Sequence, residues 1–265
     1  MNIIIPIKQV PETSNVKMDP KTGTMVREGV ESIVNPLDLY AIEVGIQLKE
    51  KFGGKVTVIT MGPPNAEKAL KEAISMGCDD GILVSSRKFG GSDTWSTAYV
   101  LSEAIKKIEN FDLIITGERA TDGDTGQVGP GIASFLDITL ATYASKIDEI
   151  KDGKITVERL VEGGYEKLRM PLPSLLTVVK EISYPRLPTL RGKQRAKKEQ
   201  IPMWSENDMQ LELENLGLTG SPTRVVKIEI PKITRGGTIL TVGKDGDAEE
   251  CVEGLVEFMK KRVLI

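Results

Sequence analysis

Phe111-Asp112-Leu113-Ile114-Ile115-Thr116-Gly117-Glu118-Arg119-Ala120-Thr121-Asp122-Gly123-Asp124-Thr125-Gly126-Gln127-Val128-Gly129-Pro130 is the stretch that decides the fold. The apolar run Phe111–Thr116 reads as a buried strand. The glycines, aspartates and threonines after it cannot continue a strand, and a helix follows near Gln127–Phe135. Strand, loop and helix in that order form one unit of a parallel α/β sheet, and in an open parallel sheet ligands bind beyond the C-terminal strand ends. Gly117, Gly123 and Gly126 let the backbone approach a diphosphate. The helix start offers free N–H groups, and Thr125 and Gln127 add side-chain donors. Asp122, Asp124 and Val128 complete the candidate loop. The spacing is neither G-x-G-x-x-G nor a Walker A loop, so an ordinary dinucleotide or P-loop assignment fails. A plain connection made of turn residues is the competing reading.

Outward from this stretch the same alternation repeats. Strands are expected at Ile3–Ile7, Val56–Met61 and Gly81–Val84. Helices are expected from Asn35-Pro36 to Gly53-Gly54, over Asn65–Met76 and over Asp93–Ile108, with a surface hairpin at 16–26. At Asn35-Pro36-Leu37-Asp38, asparagine suits a cap and proline a first turn. Pro6 and the pair Met61-Gly62 close two strands whose ends can read an adenine edge, although each alone is an ordinary strand terminus. Beyond about residue 140, Lys154–Leu160 and Tyr165–Met170 read as a hairpin and Ser174–Val179 as a further buried strand. From Tyr184 the chain is rich in Pro, Lys and Arg, with a last helix at Ala248–Lys261. The expectation is a doubly wound, mainly parallel α/β sheet with flanking helices, an added β-hairpin region and an extended C-terminal arm. Its domains are 1–183, which binds nucleotide, and 184–265, which docks partners.

Composition removes several function classes. Among 265 residues there is no histidine, so His-based triads, bases and metal sites are out. The two cysteines, Cys78 and Cys251, form no C-x-x-C, and Cys78 reads as a small buried thiol. The net charge of −3 does not call for nucleic acid. The basic stretch Arg186–Lys198 lacks interleaved aromatic residues for base stacking. The start Met1-Asn2-Ile3-Ile4-Ile5-Pro6 has no basic leader, and no segment is long enough to span a bilayer, so a cytoplasmic location is expected.

The segment Val157–Thr177 resembles the signature of electron transfer flavoprotein beta subunits: Val157, Arg159, Glu162-Gly163-Gly164, Glu166, Leu168, Pro173, Leu175-Leu176 and Thr177 fill its places. Asn35-Pro36, Met61-Gly62-Pro63, Met76-Gly77, Asp122–Thr125, Pro185-Arg186 and Ala196-Lys197-Lys198 fall in family order, so the resemblance spans nearly the whole chain. It implies a larger alpha subunit that holds most of a shared FAD. It also implies an adenine nucleotide in this subunit, at Pro6, Asn35–Asp38, Met61 and the Glu118–Gly129 loop. In simple shuttles that nucleotide is AMP; in electron-bifurcating members it is a second FAD, reduced by NADH. Asp38, the Gly-rich loop and Asp93-Thr94 resemble the bifurcating type, whereas Gly126 departs from relatives with Ala or Asn. As an anion, Asp38 would face a ribose hydroxyl, a flavin N–H or a helix N-terminus rather than a diphosphate. Leu190 matches the leucine that docks a partner acyl-CoA dehydrogenase or reductase, and ferredoxin or flavodoxin is the expected low-potential acceptor. On this reading the chain is an electron carrier within a complex, not an enzyme alone. The competing class, a free-standing ATP-binding regulatory module, has no need of the C-terminal arm.

Overall fold

The computed structural model describes residues 1–12, 17–18, 25–26, 32–226, 242 and 248–264. Along the chain run β1 (Asn2–Pro6), β2 (Gln9–Pro11), β3 (Lys17–Met18), β4 (Met25–Val26), β5 (Ser32–Val34), α1 (Asp38–Phe52), β6 (Lys55–Met61), α2 (Glu67–Met76), β7 (Asp80–Val84) and α3 (Thr94–Ile108). There follow β8 (Leu113–Gly117), α4 (Val128–Leu136), β9 (Thr139–Lys151), β10 (Lys154–Val161), β11 (Gly164–Pro171), β12 (Ser174–Val178), α5 (Leu190–Lys198), β13 (Met203–Trp204), α6 (Gly217–Gly220) and α7 (Ala248–Lys261). Nine strands make one sheet in the order β11-β10-β9-β12-β8-β1-β6-β7-β13. From β9 to β13 all neighbours are parallel, while β9, β10 and β11 pair antiparallel as a ribbon at one end. The pieces β3 and β4 pair antiparallel, as expected of the hairpin at 16–26, whose turn lies outside the described residues.

The parallel strands are apolar on both faces because helices cover both. Ile3 and Ile5 of β1 belong to the core shared with α1 and α2, and Ile4 to the core shared with α3 and α4. Fully burying one such side chain contributes about 1.5–3 kcal/mol. α1 lies close on β1 because Gly45 has no side chain: a Cβ there would sit 2.5 Å from Ile5 Cδ1. α1 stops at Gly53, whose φ of 71° suits glycine. Since β1 leads through α1 to β6 on one side, and β8 lies on its other side, the chain direction switches between β1 and β8. Such a switch opens a crevice at the C-terminal strand ends.

The chain divides into two compact units, Met1–Lys227 and Ile228–Ile265. In the first, residues beyond 184 add a helix and an edge strand: α5 packs on α2, and β13 pairs with β7. The polar composition of this stretch predicts neither element, because both are held by long-range contacts. In the second unit, α7 leaves Val252, Leu255 and Phe258 exposed, and Arg262 stands 5.0 Å from the Phe258 ring centroid.

Candidate functional site

The sheet end at the β1–β8 switch point is built around two buried polar side chains. Asn35 is fully buried, and every polar atom of its side chain is used. Its Nδ2 donates to Asp38 Oδ1 at 3.0 Å and to the Arg119 carbonyl at 2.9 Å. Its Oδ1 accepts from Thr121 N at 3.1 Å. The helix it was expected to cap begins at Asp38 with no side-chain cap, and only the Asn35 carbonyl serves that turn, accepting from Asp38 N at 2.9 Å. The side chain instead ties the start of α1 to the 118–121 loop. Asp38, also buried, accepts from Lys8 N at 2.7 Å, from Asn35 and from the Gly117 backbone. It therefore joins the ends of β1 and β8. Burial pushes its carboxyl up to about 7, against these donors and the Lys8 charge, which pull it down. Gly117 is required at this junction: a Cβ would lie 2.5 Å from Asp38 Oδ1 and 2.8 Å from the Leu37 carbonyl carbon.

The loop beyond Gly117 is folded on itself by charge. Lys8 Nζ meets Asp122 at 2.7 Å, and Arg119 reaches Glu118 at 2.9 Å and Asp124 at 3.0 Å. Asp124 N donates to the Ala120 carbonyl at 2.8 Å, with Asp124 at φ 53°. Gly126 has φ 63°, the left-handed region that glycine adopts without strain. Gly123 is open, with nothing within 4 Å of a Cβ built on it. The loop enters α4 at Gln127 and Val128 with no side-chain cap, so no side chain competes for the first N–H groups. Beneath that first turn, Gly129 allows a close approach: a Cβ would stand 2.8 Å from Thr116 Oγ1, a buried hydroxyl with no hydrogen-bond partner.

The remaining predicted residues lie at neighbouring strand ends, at the start of α3 and in the loop itself. Pro6 ends β1 and pairs with Ile59. Met61 and Gly62 stand one strand over, where Gly62 N donates to the Val84 carbonyl at 3.0 Å. Thr94 is the first residue of α3, on the sheet face shared with α4. Its neighbour Asp93 caps α3 through Trp95 N and Ser96 N and also accepts from Thr223 N and Oγ1. Thr125 and Gln127 lie between Gly123 and the helix. In sequence Lys8 and Thr116 read only as strand ends and Arg119 only as part of the Glu118–Gly129 loop, with no partner for any of them. Lys8 and Arg119 act through partners more than 80 residues away or inside an irregular loop, and Thr116 looks like the polar end of an apolar run. Among the described residues there is no cluster of His, Cys, Asp or Glu able to hold a metal ion. Cys78 is buried, its thiol pushed up to about 12 by burial, which suits the structural role expected of it.

The family profile described as the electron transfer flavoprotein domain matches residues 22–209. The chain belongs to the electron transfer flavoprotein family. It is 47% identical over 266 residues to an electron transfer flavoprotein subunit beta of Thermoanaerobacterium thermosaccharolyticum, with both chains covered completely. It is 43% identical over 266 residues to the caffeyl-CoA reductase-Etf complex subunit CarD of Acetobacterium woodii, again covering both chains completely. To protein FixA of Azotobacter vinelandii it is 44% identical over 259 residues, 96% of this chain and 92% of that protein. As a beta subunit of an electron transfer flavoprotein it takes part in electron transfer, and it has an alpha subunit as its partner. Among the described residues no helix is long and apolar enough to cross a membrane.

Proposed function

We propose that this beta subunit binds FAD at the β1–β8 switch point and carries electrons from NADH in an electron-bifurcating complex. The observation that supports it most is the start of α4. An uncapped nine-residue helix follows a loop with an open glycine and a left-handed glycine. That donor set suits a diphosphate. Gly123, Gly126 and the first turn of α4 would bind the diphosphate, with Asp122, Asp124, Thr125, Gln127 and Val128 shaping the loop. The strand ends at Pro6 and Met61-Gly62 would line the adenine. Thr94 would donate to a phosphate or flavin oxygen. Asn35 and Asp38 hold the strand ends and the loop in register. FAD would supply hydride acceptance and the passing on of single electrons; the chain's own residues bind, orient and shield.

Within this reading the alpha subunit holds the shared FAD, and the complex works in the cytoplasm. The exposed Leu190 and the chain beyond residue 184 serve a partner acyl-CoA dehydrogenase or reductase and the alpha subunit. A ferredoxin or flavodoxin receives the low-potential electron. The likeness to a subunit of a caffeyl-CoA reductase-Etf complex favours a reductase-linked system over a simple shuttle. The alternative, a simple shuttle, would keep structural AMP at the same loop. The test counts flavins in the purified heterodimer and follows their bleaching by NADH under anaerobic conditions. Two flavins, one bleached rapidly, are expected; one flavin plus AMP with no response to NADH would return the protein to the shuttle type. Gly123→Leu sharpens the loop assignment. Its side chain meets nothing in this chain, so the fold should hold within about 0.5 kcal/mol while nucleotide is lost. Full nucleotide content in that variant would place the ligand elsewhere.

A further inference from the structure

The segment Tyr184-Pro185-Arg186-Leu187-Pro188-Thr189-Leu190 is built against the usual rule. Tyr184, Leu187 and Leu190 are 92%, 85% and 83% exposed, so their own burial does not order them. Order comes from the one long side chain that points back into the protein. Arg186 donates from its backbone N to Glu43 Oε2 at 3.0 Å, from Nε to the same oxygen at 2.9 Å, and from Nη2 to Glu43 Oε1 at 3.0 Å. It also grips Glu50, from Nη1 at 2.6 Å and Nη2 at 3.0 Å. The Glu43 side chain is 4% exposed on α1. Burial pushes its carboxyl up, but the bonds from Arg186 outweigh this and hold it below the ordinary range.

The far end of the segment is fixed as well. Thr189 Oγ1 caps α5 by accepting from Gly192 N at 2.9 Å. Gly192 lies so close to the Ser75 carbonyl that no side chain fits. Arg195 donates to the carbonyls of Cys78 and Asp79. Between these anchors Pro185 and Pro188 restrict φ. Two apolar side chains are thus held outward from a short, doubly pinned strap beside a basic helix.

We propose that Arg186 is a positioning residue for docking: gripped by Glu43 and Glu50, it preorganises Leu187 and Leu190 for contact with a partner acyl-CoA dehydrogenase. The proposal rests on the reading of Leu190 as a docking residue. Preorganisation removes from the binding step the cost of ordering the strap. A lysine cannot replace the arginine, because a single ammonium cannot bridge two carboxylates as a planar fork does.

The experiment uses the complete heterodimer. Short-, medium- and long-chain acyl-CoA dehydrogenases are screened with the wild type, and the one served with the lowest KM becomes the probe. Arg186→Met is expected to raise KM for the heterodimer about tenfold with kcat within about twofold, and Arg186→Lys about threefold, because lost preorganisation weakens binding rather than chemistry. Nucleotide content should not change. Because Arg186→Met strands the buried Glu43, the double variant E43Q/R186M is made too. It should recover thermal stability but keep the raised KM, which a purely structural role would not produce. If the double variant recovers both, or if neither Arg186 variant moves KM while Leu190→Ala does, the positioning role is wrong. If Leu190→Ala also leaves KM unchanged, or no dehydrogenase is served, the docking reading beneath it fails and the proposal goes with it.

Discussion

The β1–β8 junction and the Tyr184–Leu190 strap break opposite halves of the same rule. At the junction polar groups are buried: Asn35 and Asp38 lie inside the protein, and each is satisfied by named partners. On the strap apolar groups are exposed, and the side chain held by the most hydrogen bonds, Arg186, faces inward. Both arrangements cost stability relative to a leucine core and a polar surface. The junction spends that cost internally, fixing the loop that receives a ligand. The strap directs it outward, towards a surface this chain does not contain. Asn35, Asp38 and Arg186 position; the loop and the exposed leucines touch.

The widest contrast is expected in pH. The carboxyl of Asp38 is raised from 3.8 to about 7, so the folded state holds a proton that the unfolded state has released between those values. Its contribution to stability is therefore present below pH 4 and lost as pH rises towards 7. Wild-type unfolding free energy should fall by on the order of 4 kcal/mol more than that of Asp38→Asn across this window, since each pKa unit is 1.36 kcal/mol. Urea titrations at a series of pH values measure it, and parallel curves would show that Asp38 is ionised throughout. The next largest effect is steric. Gly117→Ala drives a methyl group against Asp38 and Leu37 backbone and should cost about 3 kcal/mol, read from the denaturant midpoint. An unchanged midpoint would mean the junction is looser than described.

Asn35→Ala removes the amide that ties the junction to its loop. It leaves the Arg119 carbonyl and Thr121 N without their partner, which should cost about 2 kcal/mol. Amide exchange should quicken over 119–121 and stay unchanged over 187–190. The smallest effect belongs to the strap. Leu190→Ser should shift stability by less than about 0.5 kcal/mol, because the side chain it removes is already in water. A larger loss would show that the strap supports the fold.

The parallel strands and their helices were legible in the sequence because each carries its own period: Ile3, Ile4 and Ile5 are buried on two faces, and Asp93 caps α3 through Trp95 N and Ser96 N. β9 was not, although it has 13 residues. Tyr143 has φ 57°, and Ala141 and Ala144 both join the α1 core three positions apart, so the strand's alternation is broken by a bulge. α5 was missed because only Ala196 of its nine residues is buried. The candidate loop could be located from its glycines. The latch that shapes it could not, because Asn35 reaches Arg119 and Thr121 across more than 80 residues and carries a local signal that suits a helix cap equally well.

The two-residue strand β13 has a consequence for how the protein is made. Leu83 N and Ser85 N at the edge of β7 donate to the carbonyls of Pro202 and Trp204, so a late piece of chain closes an early edge. Met203 leaves the ribosome about 120 residues after Val84. At ordinary synthesis speeds the β7 edge therefore stands open for roughly 6 to 24 s, with its hydrogen-bonding groups available to any neighbouring strand. During that interval the nascent chain depends on dilution or chaperones to keep copies apart, and Met203-Trp204 ends the exposure when it arrives.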